Sequence, residues 1–130
     1  MSRLIPSAIV ACLRGKPPVL HSGVADYIRE FVYIDDAISA FRLISGKGLP
    51  GDAYCVGGTT HCTTYELIRR IIYNINPDIG KPEVHEKNAV FKEIEAQWMN
   101  ADKLKLLGWE PKVSLEEGIR RTINYYKEIM

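Results

Sequence analysis

One stretch constrains this chain more than any other: Arg29-Glu30-Phe31-Val32-Tyr33-Ile34-Asp35-Asp36. Phe31, Val32, Tyr33 and Ile34 are β-branched or aromatic, and their run predicts a short buried strand. Arg29 stands just before it as a fixed cation. Asp35 or Asp36 ends it as a helix N-cap, because a carboxylate there accepts the free N–H groups of a first helical turn. From Ala37 to Ser45, Ile38, Phe41, Leu43 and Ile44 recur at roughly helical spacing. The unit reads as cation, strand, acidic cap, helix.

The flanking sequence supplies further elements. Pro6 suits the first turn of a helix, so Ile5 to Leu13 is predicted helical, with Ile5, Ile9, Val10 and Leu13 on one face and Gly15 as its stop. Lys16-Pro17-Pro18 is a stiff connector to a short strand, Val19-Leu20-His21, and residues 22–28 form a loop. Gly46 to Asp52 is a turn rich in glycine and proline. Ala53 to Val56 is predicted as a strand. Gly57-Gly58 closes it, marking a backbone that something approaches closely or one that needs positive φ.

Thr63-Thr64-Tyr65-Glu66 has capping-box spacing, and the helix after it is apolar at Tyr65, Leu67, Ile68, Ile71, Ile72 and Ile75. Asn76 to Gly80 is a turn, and Lys81 to Glu95 is too mixed to assign. A helix runs from Ala101 to Leu107. A second capping box, Ser114-Leu115-Glu116-Glu117, opens a last helix to about Lys127, with Leu115, Ile119, Ile123 and Tyr126 inward. Trp98 and Trp109 are spaced as core anchors. The content is α/β, with few short strands, several helices, no internal repeat and no complete Rossmann fold.

At 130 residues this is a single domain's worth of chain, enough to bury roughly two thirds of its extended surface. A net charge of +1 leaves little for long-range steering or counterion release, so neither nucleic acid nor a membrane surface is expected as a partner. No apolar run is long enough to span a bilayer, and Met1 to Pro6 is too short in apolar length for a signal peptide. A cytoplasmic location is expected, with Cys12, Cys55 and Cys62 as reduced thiols serving as small apolar fillers. Cys55, His61, Cys62 and His85 lack the paired spacing that preorganises a metal site. His61 and His85 read as solvated rather than as acid or base.

The octapeptide resembles the Arg-Asp-Phe/Tyr-Val-x-Val-x-Asp segment of extended short-chain dehydrogenase/reductases, the nucleotide-sugar epimerases and dehydratases. Arg3-Leu4-Ile5-Pro6 resembles the Arg-x-x-Pro opening of their substrate domain, and Tyr54-Cys55-Val56-Gly57-Gly58 their Tyr-Asn-x-Gly-Gly strand end. Leu107-Gly108-Trp109-Glu110-Pro111 with Leu115-Glu116-Glu117-Gly118-Ile119 resembles their C-terminal signature. The four pieces stand in the family's order across almost the whole chain.

The resemblance implies NAD(P)-dependent oxidation of a sugar hydroxyl followed by epimerisation or dehydration. Such chemistry needs a Gly-x-x-Gly-x-x-Gly turn against the cofactor pyrophosphate and a Tyr-x-x-x-Lys pair whose tyrosine acts as base. Neither is in these 130 residues, since no tyrosine has a lysine four positions on. The expectation is therefore a single substrate-binding domain, residues 1–130, not catalytic by itself, whose NAD or NADP belongs to a separate cofactor-binding domain. An excised piece, a split gene and a truncated copy all fit this reading.

By the same resemblance Arg29 contacts the substrate diphosphate, where a guanidinium fork suits two anionic oxygens. Spacing alone also allows a surface arginine paired to Glu30 or Asp26. Val19, Leu20 and His21 fall where the family lays an extended segment along the nucleoside, although an ordinary core strand reads the same way. Tyr27 stands where the family often has glutamine, and Cys55 where it has asparagine. A second diphosphate arginine falls on Val90 here, with Lys87 or Lys92 as point-charge substitutes, and Lys103 takes a structural place on its helix. The rival reading is a non-catalytic interaction or assembly module that keeps the fold without the ligand. The resemblance also implies that Ala53 to Gly57 joins the edge of the cofactor domain's sheet. With that edge open, the chain alone is expected to form a homodimer.

Overall fold

Three helices build the main core, one of them apolar almost all round and two with one-sided apolar faces. In the computed structural model, which describes residues 3–58, 60–86 and 94–130, α1 (Leu4–Leu13) buries Ala8, Ile9 and Cys12. The next of the three, α3 (Thr64–Ile75), buries Leu67, Ile68, Ile71 and Ile72. The last, α5 (Leu115–Ile129), adds Ile119 and Ile123. These faces close on one another with Leu20 in a single cluster, the spacing of three and four that puts side chains on one helical stripe. Gly15, at φ +71°, turns the chain out of α1. The Thr63 hydroxyl accepts the Glu66 N–H while the Glu66 carboxylate accepts the Thr63 N–H, so the first capping box forms as its spacing predicts. At α5 only half of the second box forms. Ser114 accepts the Glu117 N–H at 3.2 Å, but the Glu117 carboxylate turns to Arg120 and Arg121.

The strands are short and fall into two sheets. β1 (Val19–His21) pairs in parallel with β4 (Glu83–His85). β2 (Ile28–Glu30) is the middle of a three-stranded sheet, antiparallel to β3 (His61–Thr63) and parallel to β5 (Ala96–Gln97). α2 (Ile34–Lys47) follows β2 directly, and α4 (Asp102–Leu106) precedes the Trp109 segment. A second, smaller cluster joins Ala40 of α2 to Ala101, Leu104 and Trp109, with Tyr54 and Val56 packed against it. Among the described residues the architecture is α/β, five helices around few and short strands.

Four expectations change. The strand predicted over Phe31–Ile34 lies earlier, at Ile28–Glu30, because that is the stretch for which β3 and β5 provide register partners. Phe31 packs against the main core, whereas Ile34 already belongs to α2 and is 60% exposed. Neither aspartate is the N-cap; Tyr33 holds that position without a side-chain bond. Ala53–Val56 is not in a ladder, since a strand is defined by its neighbour and the described residues offer none there; Tyr54 and Val56 face the second core instead. Trp98 is no core anchor: it is 53% exposed, its indole stacked on the His61 ring at 4.9 Å between centroids. Trp109, at 4% exposure, does anchor the second core.

Candidate functional site

Arg29 sits at the centre of the middle strand, opposite Cys62 on one side and Gln97 on the other. Its Nη1 donates to the Ile28 carbonyl at 2.9 Å, and its guanidinium carbon lies 5.2 Å from the centroid of the Tyr27 ring. A guanidinium resting on an aromatic face and tied to its own backbone has already lost much of its rotamer freedom. Tyr27 thus supplies a platform at the position where glutamine is common in the resembling family. The neighbouring carboxylate has its own task. Glu30 Oε2 accepts the Met99 N–H at 3.0 Å, joining β2 to the chain that follows β5.

The Gly57-Gly58 pair explains that junction. Neither glycine has positive φ. A Cβ on Gly57 would stand 2.7 Å from the Met99 carbonyl oxygen and 3.1 Å from Glu30 Oε2, and one on Gly58 would stand 2.5 Å from the Phe31 carbonyl oxygen. The close approach is therefore made by this chain's own backbone. A dinucleotide pyrophosphate needs that kind of space left open, and at Gly57 and Gly58 it is filled.

Val19, Leu20 and His21 form β1, but they divide between two roles. Leu20 is 2% exposed and belongs to the main core, while Val19 is 48% exposed and His21 is exposed. Burial and exposure thus alternate along the strand, as a pleated strand requires. Val19 and His21, with Lys16 and Pro17 before them and Ser7 and Ala11 of α1 opposite, line an open groove of about 520 Å³. Lys16 gives it a cation. Arg29 lies in the other sheet, linked to β1 through residues 22–27, where Gly23 at φ +84° and the Tyr27 N–H to Val24 carbonyl bond shape the turn. Val90, Lys87 and Lys92 lie outside the described residues.

Cys55, His61, Cys62 and His85 each have their own surroundings. His61 stacks on Trp98, His85 Nε2 lies 3.0 Å from Glu83 Oε2, Cys62 is buried in the main core, and Cys55 is exposed. Burial pushes the Cys12 thiol up to about 11 and raises that of Cys62, so both stay protonated near neutral pH. Lys103 Nζ is 3.0 Å from Asp52 Oδ2 and 4.7 Å from the Tyr54 ring centroid, on the helix surface where a structural place was expected.

Three contacts were not read from the sequence. The Asp36 carboxylate is buried and accepts the N–H groups of Lys112 and Val113, each at 2.9 Å. Glu30 holds Met99, and His61 holds Trp98. Only the second left a trace, in the glycine pair that makes room for it.

Residues 1–122 match the model of the family described as GDP-mannose 4,6 dehydratase. The chain is 31% identical over 133 residues to the dTDP-glucose 4,6-dehydratase of Xanthomonas campestris, covering 95% of this chain and 37% of that protein. Over 128 residues it is 30% identical to a trifunctional UDP-glucose 4,6-dehydratase/epimerase/reductase of Arabidopsis thaliana, 97% of this chain against 19% of the relative. The solved dTDP-glucose 4,6-dehydratase of Bacillus anthracis, in complex with NAD, superposes with a TM-score of 0.87 at 27% identity, over 97% of this chain and 39% of that one. The UDP-glucose 4-epimerase of Thermotoga maritima, solved with UDP-glucose, gives 0.81 at 26% identity, over 98% and 40%. The chain thus spans between a fifth and two fifths of the length of the relatives it matches. With nine tenths of its residues inside the family match and four motifs in register, it belongs to the GDP-mannose 4,6 dehydratase family, among the nucleotide-sugar epimerases and dehydratases of the extended short-chain dehydrogenase/reductases.

Proposed function

We propose that this chain is the substrate-side portion of an NAD-dependent nucleotide-sugar epimerase or 4,6-dehydratase, binding the nucleoside diphosphate of the substrate and carrying no turnover by itself. The observation that carries the reading is the coverage. Nearly all of this chain superposes on dehydratase and epimerase structures, but on only 39–40% of their length. The described residues hold an arginine set against Tyr27 and an open groove, and at Gly57 and Gly58 the space a pyrophosphate would need is taken by backbone.

In this reading Arg29 meets the diphosphate. Val19 and His21 lie along the nucleoside, with Lys16 adding charge at the groove, and Leu20 holds the strand down through the core. NAD or NADP, which supplies the hydride chemistry when bound, is held by a separate cofactor-binding domain.

Calorimetry with UDP, GDP, CDP and dTDP tests the site. A charge-assisted contact to phosphate is worth about 1.5–3 kcal/mol, so Arg29→Ala should weaken binding by roughly ten- to a hundredfold. Incubation of the 130-residue chain with NAD and a panel of nucleotide sugars should give no change at the reduced-nicotinamide absorbance. Undiminished binding by the variant, or turnover above background, would overturn the assignment. Binding of none of the four nucleotides would favour the interaction-module reading.

A further inference from the structure

Alternate residues of a strand point to opposite faces of its sheet. In the β3-β2-β5 sheet this sorts the side chains into two sets. Arg29 shares its face with its register partners Cys62 and Gln97, while Glu30 shares the opposite face with His61. Trp98 comes directly after Gln97, so it falls beside Glu30 on that same opposite face. The His61 ring, from β3, and the Trp98 ring, from the residue that follows β5, meet there at 4.9 Å between centroids with an interplanar angle of 14°. They close over the middle strand at Glu30, behind Arg29.

β5 is a short, exposed strand. It is two residues long, both exposed, and Ile94 before it is 62% exposed. Beside its ladder with β2, the Ile28 N–H donates to the Glu95 carbonyl at 2.8 Å just before it, and the Met99 N–H donates to Glu30 Oε2 just beyond it. That first link bears on the candidate site. Ile28, whose N–H is tied to Glu95, is also the residue whose carbonyl accepts Arg29 Nη1 at 2.9 Å. The chain of contacts runs from the ring stack, to the seating of β5, to the Ile28 backbone, to the guanidinium.

We propose that His61 and Trp98 are positioning residues for the diphosphate site: their stack seats β5 on β2 and so holds Arg29 where phosphate meets it. The inference rests on the reading of Arg29 as the diphosphate contact, and goes beyond it by assigning two residues on the far face of the sheet. Neither ring touches the ligand. Their effect is on the fraction of molecules in which the arginine is set, and apparent affinity falls by that fraction.

The test is calorimetry with UDP and dTDP on the 130-residue chain and on Arg29→Ala, His61→Ala, Trp98→Ala, His61→Phe and the double variant His61→Ala/Trp98→Ala. An aromatic pair supplies enough energy to change affinity by roughly three- to tenfold. Each single alanine variant should weaken binding by that amount, and the double variant by no more than the worse single, because one interaction is lost only once. His61→Phe, which keeps a ring on the indole, should restore binding. Both side chains are exposed, so the fold persists in all of them.

Single effects that multiply in the double variant, His61→Phe as weak as His61→Ala, or unchanged affinity in the alanine variants while Arg29→Ala weakens it, would each overturn the positioning role and leave the diphosphate reading standing. No effect of Arg29→Ala, or no binding by the parent chain, would overturn both.

Discussion

The Asp36 carboxylate and the Val113 N–H, 77 positions apart in the chain, lie 2.9 Å apart in a hydrogen bond. The other carboxylate oxygen takes the Lys112 N–H at the same distance, and the Trp109 indole N–H donates to the Asp36 carbonyl at 3.2 Å and to Ser39 Oγ at 3.0 Å. One residue in the first turn of α2 thus fastens the whole Trp109-to-Val113 connection onto the second core. Asp36→Ala leaves two N–H groups without an acceptor in a half-buried place, and should cost about 2–4 kcal/mol. Asp36→Asn, which keeps one acceptor, should cost less. Urea melts of the two variants check the order, and equal losses would mean that the carboxylate bonds contribute little.

Gly57→Ala and Gly58→Ala each drive a methyl group into a backbone carbonyl, at 2.7 Å and 2.5 Å. Backbone yields less readily than a side-chain tip, so each should destabilise by about 1–3 kcal/mol. Gly46 is the control. It lies inside α2 with nothing within 4 Å of its Cβ position, and Gly46→Ala should stabilise by about 0.5–1 kcal/mol. Thermal melts that ranked the three alike would refute the close-approach argument.

The capping box makes part of the stability acid-sensitive. Hydrogen bonds from the Thr63 backbone and side chain hold the Glu66 carboxyl below its ordinary 4.5. A carboxyl depressed in the folded state adds stability that is present above its unfolded value and is lost as pH falls through its folded value. Glu117 behaves alike through Arg121 and Arg120. Melting temperature should therefore drop as pH falls below about 4.5, and Glu66→Gln should flatten part of that drop.

Thiol labelling should separate the three cysteines. Cys12 and Cys62 are buried, the first with its thiol pushed up to about 11, whereas Cys55 is exposed. At pH near 8 a disulfide reagent should modify Cys55 quickly and the other two only on unfolding. Fast labelling of Cys12 in the native protein would contradict its place in the α1 face.

The 130-residue chain alone should associate with a second copy of itself. Ile34, Ile38 and Phe41 recur along one side of α2 and are 60%, 41% and 69% exposed, and a continuous apolar stripe rarely stays in water on a monomer. A two-fold pairing that buries like surfaces is the simplest closed arrangement. Light scattering at micromolar concentration should report about twice the chain mass, and Phe41→Lys should return it to one. A monomer in the parent chain would show that the stripe is tolerated in water.

The sequence by itself determined the helices and their inward faces. Residues three and four apart must share a side, so Leu67, Ile68, Ile71 and Ile72, or Ile119 and Ile123, announce a core before any partner is known. Caps and stops such as Thr63–Glu66 and Gly15 are equally local, each bond closing within a few residues. Arg29 was legible as a candidate because a motif carries it in a fixed order with the others. Only the tertiary structure decided which short stretches are strands, because a strand exists by virtue of its neighbour. Phe31–Ile34 has the composition and no ladder, whereas His61–Thr63 has the ladder and a polar composition. The partners of Asp36, Glu30 and His61 lay beyond the sequence for the same reason. Each meets a residue far along the chain, across a distance that spacing and propensity do not encode.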